Sequence, residues 1–555
     1  MPSDIRPVRK PNRKLLSGRW IRWDEARAAR AYAEGRWIRA TLADALQQAA
    51  QQTPQRVLLV DGDRRIDCAG LHAQASLLAQ AMLARAPSGS VVSFMLPNWH
   101  EAAVIYLAAT LAGMVVNPIL PSLRDRELQF ILKDVDSRLV FVPASFRQQD
   151  YAAMLSRVVA QIEQPPEVVV LRGDAGPHTA YESLLREQHA GASFPAVDAD
   201  AVRMVLYTSG TTGRPKGVMH THNSLHALIC QLRDHWRVEP GDKFLVPSPI
   251  GHIGGSIYTF EGPLLLGTTA VLMERWDADD AVRIMQAEGC THMAGATPFL
   301  EQLLAAARRA GTRLPGLKVF VCGGASVPPS LIRDAQSYFE RAVVTRVYGS
   351  TEVPVTTVGA TRADETEQAA NTDGRRGDAE IKLVEHRSAP SGAGRASADE
   401  GEVHARGPQM LVGYLRAEDE ASSFDAEGYF RTGDLARLVD DRYLVVTGRA
   451  KDIIIRNGEN ISPKEVEDIL VGHPQIAEVA IVGLPDARTG ERACAVIVPK
   501  GTPGPDVAGL RGYLAAQGLA AFKAPEQVVL WDALPKNDAG KVLKHQIRAT
   551  LAQNA

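Results

Sequence analysis

Paired cysteines are missing from this 555-residue sequence. Its five, Cys68, Cys230, Cys290, Cys322 and Cys494, are odd in number, widely scattered and in no Cys-x-x-C pair, which excludes a fully paired disulfide framework and predicts a reduced, cytoplasmic protein. Charge of one sign is also missing. Sixty-two Lys plus Arg face 64 Asp plus Glu, so no global field selects nucleic acid as a partner. The longest apolar run, Ala102 to Val116, falls short of the roughly 20 residues that a membrane span requires, and it predicts a buried helix. No charged start leads into a continuous apolar segment, so neither a secretory signal nor a transmembrane segment is expected. No internal repeat is found, which excludes a solenoid. One local excess stands out: Arg6, Arg9, Lys10, Arg13 and Lys14 read as a solvated, frayed arm, with weak attraction to an acidic membrane face as the lesser reading.

What is present is enough chain for at least two domains, since a single core seldom fills this length. Strand-like and helix-like segments alternate over the first 330 residues, which predicts an α/β fold of parallel sheets covered by helices. Thr41 opens a helix: Leu42, Ala45, Leu46 and Ala49 recur at helical spacing, Asp44 holds the capping-box position, and Pro54 closes the region. Strands are expected at 57–60, 91–95, 168–171, 202–206, 270–273 and 319–322, and an amphipathic helix from Phe299 to Arg308. After Tyr348 the texture turns to strands at 379–384, 401–406 and 437–447, the last folded about Asp440-Asp441, which predicts a small β-rich subdomain. His386 to Glu400, rich in Ser, Ala and Gly, reads as a mobile loop. From about Asp452 an α+β segment follows, with a helix at 464–470, strands at 479–482 and 495–498, and a closing helix from Val542.

Residues 207 to 217 read Tyr-Thr-Ser-Gly-Thr-Thr-Gly-Arg-Pro-Lys-Gly. The glycines let backbone N–H groups aim at one point, Thr208, Ser209, Thr211 and Thr212 add hydroxyl donors, and Lys216 adds positive charge, a combination suited to a polyphosphate. The spacing is not that of a P-loop, because Pro215 stands where Gly-Lys would be needed. A Gly/Thr-rich stretch by itself is ordinary loop material.

Its company decides the matter. The string resembles the signature loop of the adenylate-forming superfamily, which includes acyl- and aryl-CoA ligases, nonribosomal adenylation domains and beetle luciferases. The resemblance continues in order through Tyr348-Gly349-Ser350-Thr351-Glu352, Tyr429-Phe430-Arg431-Thr432-Gly433-Asp434, Gly448-Arg449-Ala450-Lys451-Asp452, Gly458-Glu459-Asn460-Ile461-Ser462-Pro463 and Pro535-Lys536-Asn537-Asp538-Ala539-Gly540-Lys541. It implies a large N-terminal domain, residues 1–450, that binds acid and ATP, and a small mobile C-terminal domain, residues 451–555, hinged at Lys451.

The resemblance also implies roles. Thr208, Ser209, Gly210, Thr211, Thr212 and Lys216 would hold the β- and γ-phosphates of ATP, with Glu352 as the Mg²⁺ ligand and Thr351 near the α-phosphate or acyl carbonyl. Asp434 would take both ribose hydroxyls, Arg449 would clamp the nucleotide, and Tyr348, followed by Gly349, would offer adenine an aromatic face. Gly323, Gly324 and Ala325 would form a wall along the adenine and acyl pockets. Lys541 would enter the site for adenylation, where a long stem with a compact charge suits a group that arrives and leaves. The C-terminal domain would then rotate, withdraw Lys541 and bring in the Gly458-Glu459-Asn460 loop to shape a thiol tunnel. Asn457 departs from the glycine common at its place, which leaves the tunnel's shape open. His252 would border the acyl pocket and thiol path, and Gly251, at a place often aromatic, would leave room there. His220, His222 and His226 invite a metal reading, rejected because no acid or cysteine follows at ligand spacing.

Three functions remain. The first is an acid:CoA ligase, using ATP, Mg²⁺ and coenzyme A on an aliphatic, alicyclic or aromatic acid. The second loads an acyl carrier protein, and the third is a silent nucleotide-binding protein. Amino acids are disfavoured as substrates because no aspartate lies between Pro249 and Thr259. A homodimer is compatible with all three.

Overall fold

The computed structural model describes residues 13–187, 189, 193–208, 214–324, 327–385, 400–457, 459–486, 488–537 and 540–553. Two seven-stranded sheets dominate. The first runs, in spatial order, Thr179–Ala180, Glu167–Leu171, Ser137–Pro143, Val91–Phe94, Val115–Pro118, Val202–Thr208 and Lys216–Thr221. The second runs Val343–Val347, Val319–Gly323, His292–Gly295, Lys243–Val246, Thr269–Leu272, Val57–Asp61 and Arg64–Asp67. Each is parallel except for an antiparallel hairpin at one edge. Central strands such as Val91–Phe94 and Thr269–Leu272 are buried throughout, as expected where helices cover both faces of a parallel sheet.

The main core lies between these sheets and is filled by the helices Leu42–Gln52, Cys68–Leu83 and His100–Leu111. Thr41 and Asp44 cap the first of these reciprocally, as the sequence pattern requires. The apolar run from Ala102 is helical only to Leu111. Gly113, at φ +66°, turns the chain into the strand Val115–Pro118, so one hydrophobic stretch supplies two elements. Periodicity cannot separate a buried helix from a buried strand when every residue is apolar.

Within this core a short π-turn, Ile257–Glu261, carries an acid into apolar surroundings. Arg203 Nη2 donates to Glu261 Oε1 at 2.9 Å and Tyr106 Oη donates to the same oxygen at 2.6 Å; Arg203 and Glu261 are each about 1% exposed. A cavity of about 220 Å³, lined by both along with His222 and His226, lies beside the pair.

Beyond the second sheet, Glu380–Val384, Glu400–Arg406, Phe430–Val439 and Tyr443–Arg449 form a four-stranded antiparallel sheet. Asp440 and Asp441, at φ +53° and +50°, make its hairpin turn, a conformation that aspartate tolerates better than most residues. From Ile454 a five-stranded sheet follows, with Gln527–Leu530 parallel to Gly490–Pro499 and the helices Pro463–Leu470 and Lys544–Gln553 packed on it around separate cores. The closing helix starts two residues later than its pattern suggests, because Val542 is held in a bridge to Lys536. Among the described residues no helix is long and apolar enough to cross a membrane. All five cysteines are free and buried.

Candidate functional site

The segments that follow Thr208, Gly323 and Val347 leave the C-terminal ends of parallel strands, where open α/β sheets present their ligand sites. Val202–Thr208 and Lys216–Thr221 form a hairpin with Thr208 opposite Lys216, so the intervening loop starts and ends at one point of the sheet edge. Ser209, Gly210, Thr211 and Thr212 in that loop lie outside the described residues, as do Ala325, Gly458 and the segment 386–399. Lys216 stands 3.9 Å from Asp419, with its ammonium 5.3 Å from the centroid of the Tyr414 ring. Arg214 Nη2 donates to the same Asp419 at 2.8 Å.

Gly323 ends the strand Val319–Gly323 opposite Val347, and Gly324 follows at φ +83°. The strand Val343–Val347 runs into the Tyr348 to Glu352 turn. A Cβ at Gly349 would lie 2.7 Å from the Val355 nitrogen, so only glycine fits there. His220 Nε2 donates to the Thr351 carbonyl at 2.8 Å, and burial pushes its imidazole down to about 4, which keeps the ring neutral. His220 thus pins the turn that presents Thr351 and Glu352. Tyr414 Oη donates to Glu352 Oε1 at 2.9 Å, and the other Glu352 oxygen takes no hydrogen bond among the described residues. A carboxylate with one oxygen held and one free suits a Mg²⁺ ion whose remaining ligands are phosphate and water.

Asp434 and Arg449 face each other on neighbouring antiparallel strands. Arg449 Nε donates to Asp434 Oδ1 at 2.6 Å, while Tyr348 Oη donates to Oδ2 at 2.7 Å. Asp434 is 6% exposed. Each carboxylate oxygen therefore holds one protein donor and keeps a lone pair, which is the capacity that two adjacent hydroxyls require. Burial raises the Tyr348 phenol well above its ordinary value, so it stays a donor. The sequence reading gave Tyr348 its ring face; in the structure its hydroxyl is committed to Asp434.

His252 caps the short helix Ile253–Ser256, and its Nε2 is buried with no hydrogen-bond partner among the described residues. Desolvation lowers its pKa. The room expected at Gly251 is taken: a Cβ there would lie 2.9 Å from the Leu120 side chain and 3.0 Å from the backbone of Ile119 and Leu120. His226 Nδ1 meets the Arg36 carbonyl at 2.9 Å, so with His220 it is spent on backbone contacts.

Lys541 lies in a turn closed by Asn537, whose side chain accepts from the Lys541 N–H at 2.8 Å. A Cβ on the adjacent Gly540 would sit 3.7 Å from Pro298, at the start of the helix Thr297–Arg309. The C-terminal part therefore reaches across onto the N-terminal part. Lys541 keeps exposed surface, yet it stands in a cleft whose protein walls push its amine down to about 8, chiefly by desolvation, with Arg449 and Lys451 adding repulsion and Asp434 and Asp452 opposing it. Lys451 sits in the turn Ala450–Asp452, and Arg548 holds the following Asp452 at 2.7 Å. Asn457, at φ +50°, takes the left-handed conformation that glycine usually fills, so the departure from pattern leaves the backbone path intact.

The amine carries a pH signature. Between about 8 and the ordinary 10.5, Lys541 is neutral in this cleft whereas a fully solvated lysine is charged, so any movement that exposed the amine would take up a proton. Rising pH across that window would therefore favour the arrangement seen here. Protection of the nearby chain from trypsin in the ligand-free protein should increase from pH 8 to pH 10; unchanged cleavage would show that the amine does not sense the cleft.

Sequence reasoning missed Tyr414, His220 as a pin, and Asp419. No local pattern marks Tyr414; the bridge of Val218 to Tyr414 brings it to the site from about two hundred residues downstream.

The profile described as AMP-binding enzyme matches residues 46–415, and that of the AMP-binding enzyme C-terminal domain matches 465–541. The chain is 34% identical to a medium-chain fatty-acid–CoA ligase of Escherichia coli, over 95% of this chain and 93% of that one. It is 32% identical to a salicyl-AMP ligase/salicyl-S-ArCP synthetase of Mycobacterium tuberculosis, over 99% and 97%. Among solved structures, ATP-bound MatB from Rhodopseudomonas palustris superposes with a TM-score of 0.81 at 26% identity, covering 92% of this chain and 99% of that one. The o-succinylbenzoate CoA synthetase of Bacillus subtilis with its acyl-adenylate superposes with a TM-score of 0.77 at 25% identity, covering 92% and 98%.

Proposed function

This chain belongs to the AMP-binding enzyme family, and from that premise we propose that it is an ATP-dependent carboxylic acid:CoA ligase. A carboxylate oxygen attacks the α-phosphorus of ATP, the α–β phosphoanhydride bond breaks and pyrophosphate leaves. The thiol sulfur of coenzyme A then attacks the acyl carbonyl, loses its proton and displaces AMP. The observation that carries this reading is the approach of Gly540 to Pro298, which sets the neighbouring Lys541 against the N-terminal part, in the surroundings of Arg449 and of the Asp434 carboxylate that Arg449 binds.

In this scheme Asp434 receives the ribose hydroxyls, steadied by Tyr348 and Arg449. Thr208 and Lys216 flank the loop that takes the β- and γ-phosphates, with Ser209, Gly210, Thr211 and Thr212. Glu352 holds Mg²⁺, which when bound shares the phosphate charge. Thr351 lies by the reacting groups, and His252 offers its free nitrogen to the acyl and thiol path. Residues 1–450 form the body and residues 451–555 the moving part, with Lys451 as the hinge. The acid is aliphatic, alicyclic or aromatic, and the reaction is cytoplasmic. A carrier-protein acceptor is the second reading, favoured by the salicyl-S-ArCP synthetase among the relatives.

The test is pyrophosphate release over a panel of such acids with ATP, Mg²⁺ and either CoA or a pantetheinylated carrier. Acid-dependent release with thioester on CoA is the expected result. Thioester on the carrier alone would favour the second reading, and no release with any acid would favour a silent protein.

A further inference from the structure

We propose that Tyr414 is a positioning residue that orients two groups of the site at once, its hydroxyl fixing Glu352 and its ring receiving Lys216. The inference rests on the reading of Glu352 as the Mg²⁺ ligand. Tyr414 is 4% exposed and follows Gly413 in a segment that bridges to Val218. Its N–H donates to Glu420 Oε1 at 3.2 Å, so backbone and ring are both held. In this pair the phenol O–H is the donor, since an ionised carboxylate offers only acceptors.

The consequence for Glu352 is directional. With Oε1 committed to the phenol at 2.9 Å, rotation of the carboxylate is restricted and the other oxygen keeps one heading. The consequence for Lys216 is different. Its ammonium rests 5.3 Å from the ring centroid and 3.9 Å from Asp419, which Arg214 holds at 2.8 Å. Asp419 is thus shared between two cations, and the π face supplies the remainder of the attraction. A polyphosphate outcompetes both, so Lys216 is parked close to where it is needed without being locked there. One side chain thereby sets the separation between the metal-holding carboxylate and the phosphate-facing ammonium.

The experiment uses the full chain carrying Lys541→Ala, to stop turnover, and reads Mn²⁺ bound in the presence of ATP by electron paramagnetic resonance. Tyr414→Phe keeps the ring and removes the hydroxyl. It should weaken Mn²⁺ binding by about 10–100-fold, the usual cost of losing a group that orients a ligand. Metal-free ATP binding, the thermal midpoint and thioester formation from supplied acyl-adenylate should stay unchanged. Tyr414→Leu, which also removes the ring, should in addition weaken metal-free ATP binding. If Glu352→Gln weakens Mn²⁺ binding and Tyr414→Phe does not, the proposal is overturned while the metal reading stands. A uniform loss across all four readouts for Tyr414→Phe would make the tyrosine merely structural and also overturn it. Unchanged Mn²⁺ binding in Glu352→Gln would remove the metal reading and the proposal together.

Discussion

Lys541→Ala is expected to slow acyl-adenylate formation by about 10³–10⁵-fold, the range seen when a cation supplied to a phosphoryl-transfer transition state is removed. Two anions must meet at the α-phosphorus, and the charge that builds there has to be met by groups already in place. Lys541 is the member of that set that comes from the C-terminal part, standing in one cleft with Arg449 and Asp434. Its lowered pKa reports that the empty cleft is a poor place for a lone positive charge. At neutral pH an amine with a pKa of about 8 is still mostly charged, and bound acid and triphosphate would hold that charge more firmly. Thioester formation from supplied acyl-adenylate should proceed within about threefold of the parent, since in the proposed scheme the lysine's charge serves nucleotidyl transfer and not sulfur attack. The measurement is single-turnover kinetics of each half-reaction. Equal losses in both would mean that Lys541 shapes the site generally, and the division of labour between the two steps would fall.

Glu261→Ala is the second large effect, on stability. It should cost about 3–5 kcal/mol, because removing one partner of a buried ion pair leaves the other charge uncompensated. Arg203 is about 1% exposed, and of its guanidinium nitrogens Nη2 bonds Glu261 while Nε and Nη1 find no partner among the described residues. Tyr106 would lose its carboxylate acceptor as well, keeping only the Met204 sulfur at 3.9 Å. Replacing Arg203 and Glu261 together by Met and Leu should recover most of the loss, since an apolar pair of similar volume avoids both desolvation penalties. Urea midpoints of the N-terminal unfolding transition test this. A single-substitution cost below about 1 kcal/mol would show that water in the adjacent cavity already compensates Arg203.

Much of the architecture could be read directly because its elements carry local signatures. The capping box at Thr41 and Asp44, the hairpin turn at Asp440-Asp441 and the alternating apolar runs each follow from physics acting within a few residues. The boundaries that slipped did so where a tertiary contact intervened, as with the bridge that holds Val542 out of the closing helix. In the site, Asp434, Glu352 and Lys541, with Tyr348 and Arg449, stand in motif strings, whereas the contacts that orient them, and Tyr414 as a partner of Glu352, have no such mark. Tyr414 and Glu352 are separated by 62 residues, Tyr348 and Asp434 by 86, and His220 and Thr351 by 131. Such pairs leave no periodic trace, because a positioning residue needs only the right location after folding. Gly251 illustrates the converse: a missing side chain suggests space, but the space belongs to Leu120, which arrives from another sheet.

The π-turn at Ile257–Glu261 makes the helix that follows His252 intolerant of a change in length. An α-helix advances about 100° per residue, so excising one position from this turn would swing every later side chain by more than a quarter revolution. Glu261, now bonded to Arg203, would move toward the place of Phe260, whose ring stacks on Tyr106 with centroids 4.1 Å apart, aiming a carboxylate at an aromatic face. A one-codon deletion here would therefore disturb the Glu261–Arg203 pair and the Phe260–Tyr106 stack together, where a point substitution touches one of them.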